Sequence, residues 1–134
     1  SRTALVNCTV AGNACNGGAA GVYAVGGAVR NCVIWGNVND WTGTPVVSNW
    51  TTGDSLFTYC LTTPALSDEN SISEEPVFLG AYRLSSRSPG VDAGFDESWM
   101  TGATDLRGKM RLVNGRVDMG AYEVQAGGLM LLLR

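Results

Sequence analysis

Val6-Asn7-Cys8-Thr9-Val10-Ala11-Gly12-Asn13 and Arg30-Asn31-Cys32-Val33-Ile34-Trp35-Gly36-Asn37 are one line written twice. Asn7 and Asn31, Cys8 and Cys32, Gly12 and Gly36, and Asn13 and Asn37 each stand 24 residues apart. Between the two lines lies Gly17 to Gly27, a stretch of small residues interrupted by Val22-Tyr23-Ala24-Val25. A repeat of this length points to stacked units that bury their apolar faces on one another rather than to a single globular core.

Leu5 to Val10 and Ala28 to Trp35 read as strands, and Gly12-Asn13 and Gly36-Asn37 as turns. Gly21 to Val25 reads as another short strand. Apolar residues at helical spacing are missing from this half, and each Gly would cost a helix ~1 kcal/mol relative to Ala. The expectation is an all-β chain, a parallel β-solenoid whose coils stack ~4.8 Å apart. A third line, Phe57-Thr58-Tyr59-Cys60-Leu61, places a Cys again but 28 residues after Cys32. The surplus falls in a polar stretch at 38–54 that holds Trp41, Pro45 and Trp50, read as a loop leaving the second coil.

Charge divides the chain. Residues 1–63 carry only Arg2, Arg30, Asp40 and Asp54, and the other seventeen charges lie from residue 64 onward. The expected organisation is coils over 1–63 with the 38–54 loop, a capping segment over 64–125, and an apolar tail at 126–134. Polar, irregular end units are what a solenoid needs to stay soluble. The tail is far shorter than the ~20 residues that span a bilayer. The opposite edge, Leu5 to Val10, is expected to be open. It should be covered by further coils upstream or by self-association with another copy.

Several chemistries are excluded. The chain has no His, which removes Ser-His-Asp and Cys-His catalysis. Cys8, Cys15, Cys32 and Cys60 form no Cys-x-x-Cys pair, so a zinc site is not indicated. Net charge is −3 without a basic stripe, so nucleic acid is not an expected partner.

The residues carry a resemblance. Asn-Cys-Thr-Val-x-Gly-Asn followed by Gly-Gly-x-x-Gly-Val-Tyr resembles the coils of right-handed parallel β-helix proteins. These are the pectate-lyase-like group, with the polymorphic outer-membrane and adhesin-like repeats. Pro76 to Phe78, Tyr82 to Leu84, Ser88 to Gly94, Thr104 to Arg111 and Val117 to Glu123 resemble the end of secreted bacterial choice-of-anchor proteins. The chain departs from that pattern at Met110, where the family often has Pro, and in the short Leu79-Gly80-Ala81 link. The resemblance implies a right-handed parallel β-helix of about two to three coils plus a cap, at an extracellular or cell-surface location. It implies no particular activity for a terminal piece.

Four groups of candidate residues follow. Cys8 and Cys32 should stack, as a buried thiol ladder or as a disulfide. Asn7 with Asn31, and Asn13 with Asn37, should form structural ladders at the turns. Asp92, Asp105 and Asp118 could hold Ca²⁺ or, as paired carboxylates, cleave a glycoside; the simpler role is bonding turn amides beside Gly. Trp41, Trp50 and Tyr59 could stack on the sugar rings of a polysaccharide, provided both Trp rings are exposed on one face. The leading expectation is a structural, adhesin-like end piece without catalysis of its own, and the alternatives are a carbohydrate-binding module or a fragment of a lyase or hydrolase.

Overall fold

A computed structural model of the chain describes residues 3–51, 56–112 and 115–124. It is built of short strands with almost no helix. The strands are β1 Ala4–Val6, β2 Thr9–Ala11, β3 Ala14–Cys15, β4 Val22–Tyr23, β5 Ala28–Arg30, β6 Val33–Trp35 and β7 Val38–Asn39. They continue with β8 Val46–Val47, β9 Trp50–Thr51, β10 Phe57–Thr58, β11 Leu61–Thr62, β12 Phe78–Leu79 and β13 Arg83–Leu84. Two short 3₁₀ turns lie at Gly80–Tyr82 and Ser98–Met100.

The sheets are small and separate. Their orders are β1-β5-β10, β11-β6-β2, β3-β7-β8, β4-β9 and β12-β13. The pairing between repeat lines is parallel. Leu5 faces Val29, Val10 faces Ile34 and Ala14 faces Val38, each at the repeat distance of 24 residues. Phe57 faces Val29 and Leu61 faces Val33, so the third line adds a third row.

The single strands expected over Leu5 to Val10 and Ala28 to Trp35 are each broken in two. The break falls at Asn7, with φ 52°, and at Asn31, with φ 55°. In the third row Tyr59 takes the same place with φ 52°. Asn tolerates this left-handed backbone because its short amide bonds locally. Each row therefore turns a corner where the sequence pattern reads as continuous strand.

The insertion is narrower than 38–54. Val38–Asn39 still pairs with Ala14–Cys15, and Trp50–Thr51 still pairs with Val22–Tyr23. Between them the chain turns at Asp40 to Gly43 and returns as β8, antiparallel to β7. Residues 52–54 of the expected loop, and the tail at 126–134, lie outside the described residues.

Val29, Cys32, Ile34, Phe57 and Cys60 form one buried cluster between the rows, and Val33, Leu61, Leu84 and Met119 form a second. Burying side chains such as Ile34, Phe57 and Leu61 contributes roughly 1.5–3 kcal/mol each. The second cluster already includes residues of the charged half, which is how that half is attached.

The charged segment does not simply close the end of the rows. Only its first part does: Ile72 pairs with Leu61, its N–H donating to Cys60 O at 2.8 Å while Thr62 N–H donates to Ile72 O at 2.9 Å. The later part runs along the flank, past the Asn7 and Asn31 corners. There Gly120 N–H donates to Asn31 O at 2.7 Å and Ala121 N–H to Thr9 Oγ1 at 2.9 Å. Gly120 has φ 94° and lies so close to Thr9 and Val33 that a Cβ would collide with both.

Candidate functional site

Two side-chain systems hold the molecule's polar chemistry. The first is the Asn ladder at the turns. Asn13 donates its N–H and its Nδ2–H to Asn37 Oδ1, at 3.1 and 2.9 Å. Asn37 repeats this on Asn49 Oδ1, at 3.0 Å for both bonds. Asn49 Nδ2 ends the run on Thr63 O at 2.8 Å. Asn13 and Asn37 thus stand in the expected column, and Asn49 joins them. Its sequence offset of 12 from Asn37 hides it from a search at period 24.

Asn7 and Asn31 have a second use. Asn31 donates Nδ2–H to Phe95 O at 2.9 Å and accepts Phe95 N–H on Oδ1 at 2.7 Å, as a strand neighbour would. Asn7 Nδ2 donates to Asp118 O at 3.1 Å. Between rows the contact is longer, 3.4 Å from Asn31 Nδ2 to Asn7 Oδ1. The corner Asn column is chiefly a docking rail for the charged segment.

The second system is a carboxylate network within that segment. Asp105 Oδ1 accepts the N–H groups of Arg107 and Lys109, both at 2.8 Å, and Oδ2 accepts Glu123 N–H at 2.6 Å. Asp118 accepts Asp92 N–H at 2.7 Å and Val124 N–H at 2.6 Å on its two oxygens. Glu123 accepts Asp118 N–H and the Arg111 guanidinium, each at 3.0 Å. The Arg111–Glu123 pair is almost fully buried, with side-chain exposures of 8% and 5%. A second bidentate pair, Arg30 with Glu97, bridges the second row to the segment at 3.0 Å.

The environments set the acidities. Burial pushes Asp118 up to about 6, against the pull of the Val124 and Asp92 amides. Burial also pushes Glu123 up to about 7, against the Asp118 amide and Arg111. Asp105 moves the other way: burial raises it, but the amides of Glu123, Lys109 and Arg107 together hold it below the usual range. The Arg30 guanidinium holds Glu97 low.

Asp105 and Asp118 therefore spend both oxygens on backbone amides. Asp92 is exposed, on a backbone with φ 55°. Among the described residues no three Cys, Asp or Glu side chains gather in a way that suits a metal ion, so Asp92, Asp105 and Asp118 are not assembled as a ligand set. The carboxylates of Asp105 and Asp118 bond backbone amides, the simpler role expected of them, whereas Asp92 contributes its backbone N–H to Asp118.

The three candidate aromatic residues are held in three different ways. Trp41 is 70% exposed and its ring lies over Gly17. Trp50 is half-buried, 5.8 Å from the Phe57 ring, and its Nε1–H donates to Pro64 O at 3.0 Å. Tyr59 packs 5.3 Å from Phe95, with the Arg116 guanidinium 5.9 Å above its ring. The two Trp rings do not form the exposed pair that sugar stacking was expected to need.

The four cysteines are free thiols. Cys32 and Cys60 are buried, and each thiol reaches back to the row before it: Cys32 Sγ to Leu5 O at 3.5 Å, Cys60 Sγ to Val29 O at 3.6 Å. Cys8 is half-buried, and the hydrogen bond with Cys32 lowers its thiol to about 6. Cys15 stands outside this column, with Sγ 3.6 Å from Gly18 O.

Two cavities are notable. A groove of about 560 Å³ lies at the first row, lined by Leu5, Val22, Tyr23, Val25 and Val29 among others. A smaller one of about 320 Å³ lies beside Arg83, Arg107, Lys109 and Tyr122. No helix among the described residues is long and apolar enough to cross a membrane.

Sequence reasoning missed Asn49, the Tyr59 corner, and the Arg30–Glu97 pair. The last joins residues 67 apart and leaves no local signal. Comparison with protein-family models, with curated proteins and with solved structures returned no match to this chain.

Proposed function

We propose that this chain is the C-terminal end of a right-handed parallel β-helix that is secreted or held at a cell surface, with a structural, adhesin-like role and no catalysis of its own. The observation that supports it most is the Asn13–Asn37–Asn49 ladder. Its first step joins the first and second parallel rows at the offset of 24, its second step joins Asn37 to Asn49 across the hairpin of the second row, and it stops on Thr63, where the charged segment begins. Stacked amides of this kind fix register from row to row. The non-catalytic part rests on Asp105 and Asp118, whose oxygens are engaged by backbone amides. A contact with a polysaccharide would rest on Trp41, which is far more exposed than Trp50.

Amide hydrogen exchange tests the architecture. Amides of the middle row, such as Val33 and Ile34, should be the slowest of the rows, and uniform fast exchange across Val29 to Leu61 would refute it. Incubation with acidic and neutral polysaccharides should release neither reducing ends nor unsaturated products. Turnover abolished by Asp92→Asn would overturn the non-catalytic reading. Surface proteolysis of intact cells should remove the native protein, and a protected cytosolic pool would contradict the location.

A further inference from the structure

The first row is an edge with a defined chemistry. β1 and β2 are terminal in their sheets. In a parallel ladder each residue turns both its N–H and its C=O to one neighbour, and the next residue turns them to the other. Asn7 N–H bonds Arg30 O, Val33 N–H bonds Cys8 O and Gly12 N–H bonds Trp35 O. The groups of Val6, Thr9 and Ala11 therefore face away from the second row. Leu5, Cys8 and Val10 are half-buried, whereas their second-row equivalents Val29, Cys32 and Ile34 are 4%, 0% and 0% exposed. The other end of the rows is different: Phe57, Cys60 and Leu61 are fully buried and Ile72 is already paired there.

The Asn ladder gives this edge a direction. Asn13, Asn37 and Asn49 each donate toward the charged segment, with Asn37 Nδ2 also reaching back to Val10 O at 2.9 Å, and Asn37 and Asn49 each receive two donors on Oδ1 from the Asn before. Asn13 Oδ1 is the ladder oxygen that receives none from the ladder. The thiols repeat as well: Cys32 and Cys60 each bond the carbonyl two residues before and reach the preceding row, and Cys8 Sγ lies 3.4 Å from Val6 O, on the side that faces the edge.

We infer that this edge is a docking surface for one further polypeptide row of the same repeat. The row runs parallel to β1 and β2. It lays an Asn side chain on Asn13 so that its N–H and Nδ2–H meet Oδ1, it covers Cys8, and it fills the groove beside Leu5 and Val22 with apolar side chains. A second copy of the same edge does not fit. The Asn13 of a second copy has its N–H and Nδ2–H already committed to its own Asn37, so it brings no donor pair for Oδ1, and the far end of the rows is covered. The inference builds on the reading of the chain as the end of a longer array, and adds which row that edge accepts and in which direction.

The test is a tandem chain carrying a second copy of residues 3–26 directly ahead of residue 3, with the cysteines of the added copy changed to Ser. Alkylation of Cys8 by iodoacetamide is followed by mass spectrometry, alongside hydrogen exchange of the middle row. The added row should slow alkylation by about tenfold or more, since reaction then needs local opening, and should raise the melting temperature. Replacing the added Asn that stands opposite Asn13 with Ala should return part of the alkylation rate. Unchanged Cys8 alkylation with a protected middle row overturns the docking surface while leaving the array reading intact. An unprotected middle row in the original chain refutes the array reading instead. Cys8 protection that grows with the concentration of the original chain makes a second copy the occupant and overturns the polarity argument.

Discussion

The repeat rows and the charged flank solve the same problem by opposite means. In the rows, the backbone amides that face a neighbouring row find their partners there, and side chains are left free to be apolar. In the flank, from Ser88 to Val124, regular strands are replaced by turns, and carboxylates do the work of a neighbouring strand. A buried amide must be bonded by something. Where the period ends, Asp105, Asp118 and Glu123 supply the acceptors. The contrast teaches that the charge shift near residue 64 marks a change in how the backbone is satisfied, more than a change in solvent exposure.

The sharpest way to break the flank alone is Arg111→Met. It leaves Glu123 buried without its cation, and removing one partner of a buried pair costs about 3–5 kcal/mol. Denaturant unfolding should show this loss, with exchange accelerated over residues 103–124 before the rows respond. Asn31→Ala comes next. It strips the paired bonds to Phe95 and leaves a left-handed corner to a residue that disfavours it, for a loss of about 2–4 kcal/mol. This variant should loosen rows and flank together, because Asn31 belongs to both.

A pH series separates the two regions by titration. Asp118 and Glu123 are raised in the folded state, to about 6 and about 7. The stability that their protonated forms carry is complete below the unfolded carboxylate range near 4 and is lost as pH rises through those values. Cys8, lowered to about 6, and Cys60, also held low by its bond with Cys32, act in the opposite sense, so the measurement is made in the Cys8→Ala/Cys60→Ala variant. That variant should be more stable at pH 5 than at pH 8, by on the order of 1–2 kcal/mol. Below pH 4 the trend reverses, as Asp105 and Glu97, both held low, take up protons. The smallest effect is expected from Trp41→Ala, which removes an exposed ring and should change stability by no more than about 0.5 kcal/mol. The same variant reports on polysaccharide contact in a pull-down with insoluble glycans.

What could be read from the sequence follows the same division. The rows were legible because Asn7, Cys8, Gly12 and Asn13 return at one interval, and a stacked fold forces such returns. The corner inside each row was not legible. Asn-Cys between apolar residues looks like continuous strand, and only φ distinguishes it. Tyr59 reads as a sugar-stacking candidate because it lies near the Trp41 and Trp50 loop in sequence, whereas its position in the column makes it the third corner. The flank gave its turns away through Asp-Gly spacing. Its position along the side of the rows was invisible, since the contacts that fix it join residues 64 to 113 apart. Glu97 finding Arg30 is of this kind as well.

The hairpin between β7 and β9 has a consequence for how such a chain can change over time. Asn49 catches Asn37 at half the usual interval, and the rows on either side keep their pairing although the second row is longer than the first. Gly43, at the tip, has open space around it. Length can therefore be added between Trp41 and Pro45 without a shift in the ladder, and the position is a natural graft point. A foreign recognition loop spliced there would be displayed away from the stack while the repeat beneath kept its phase.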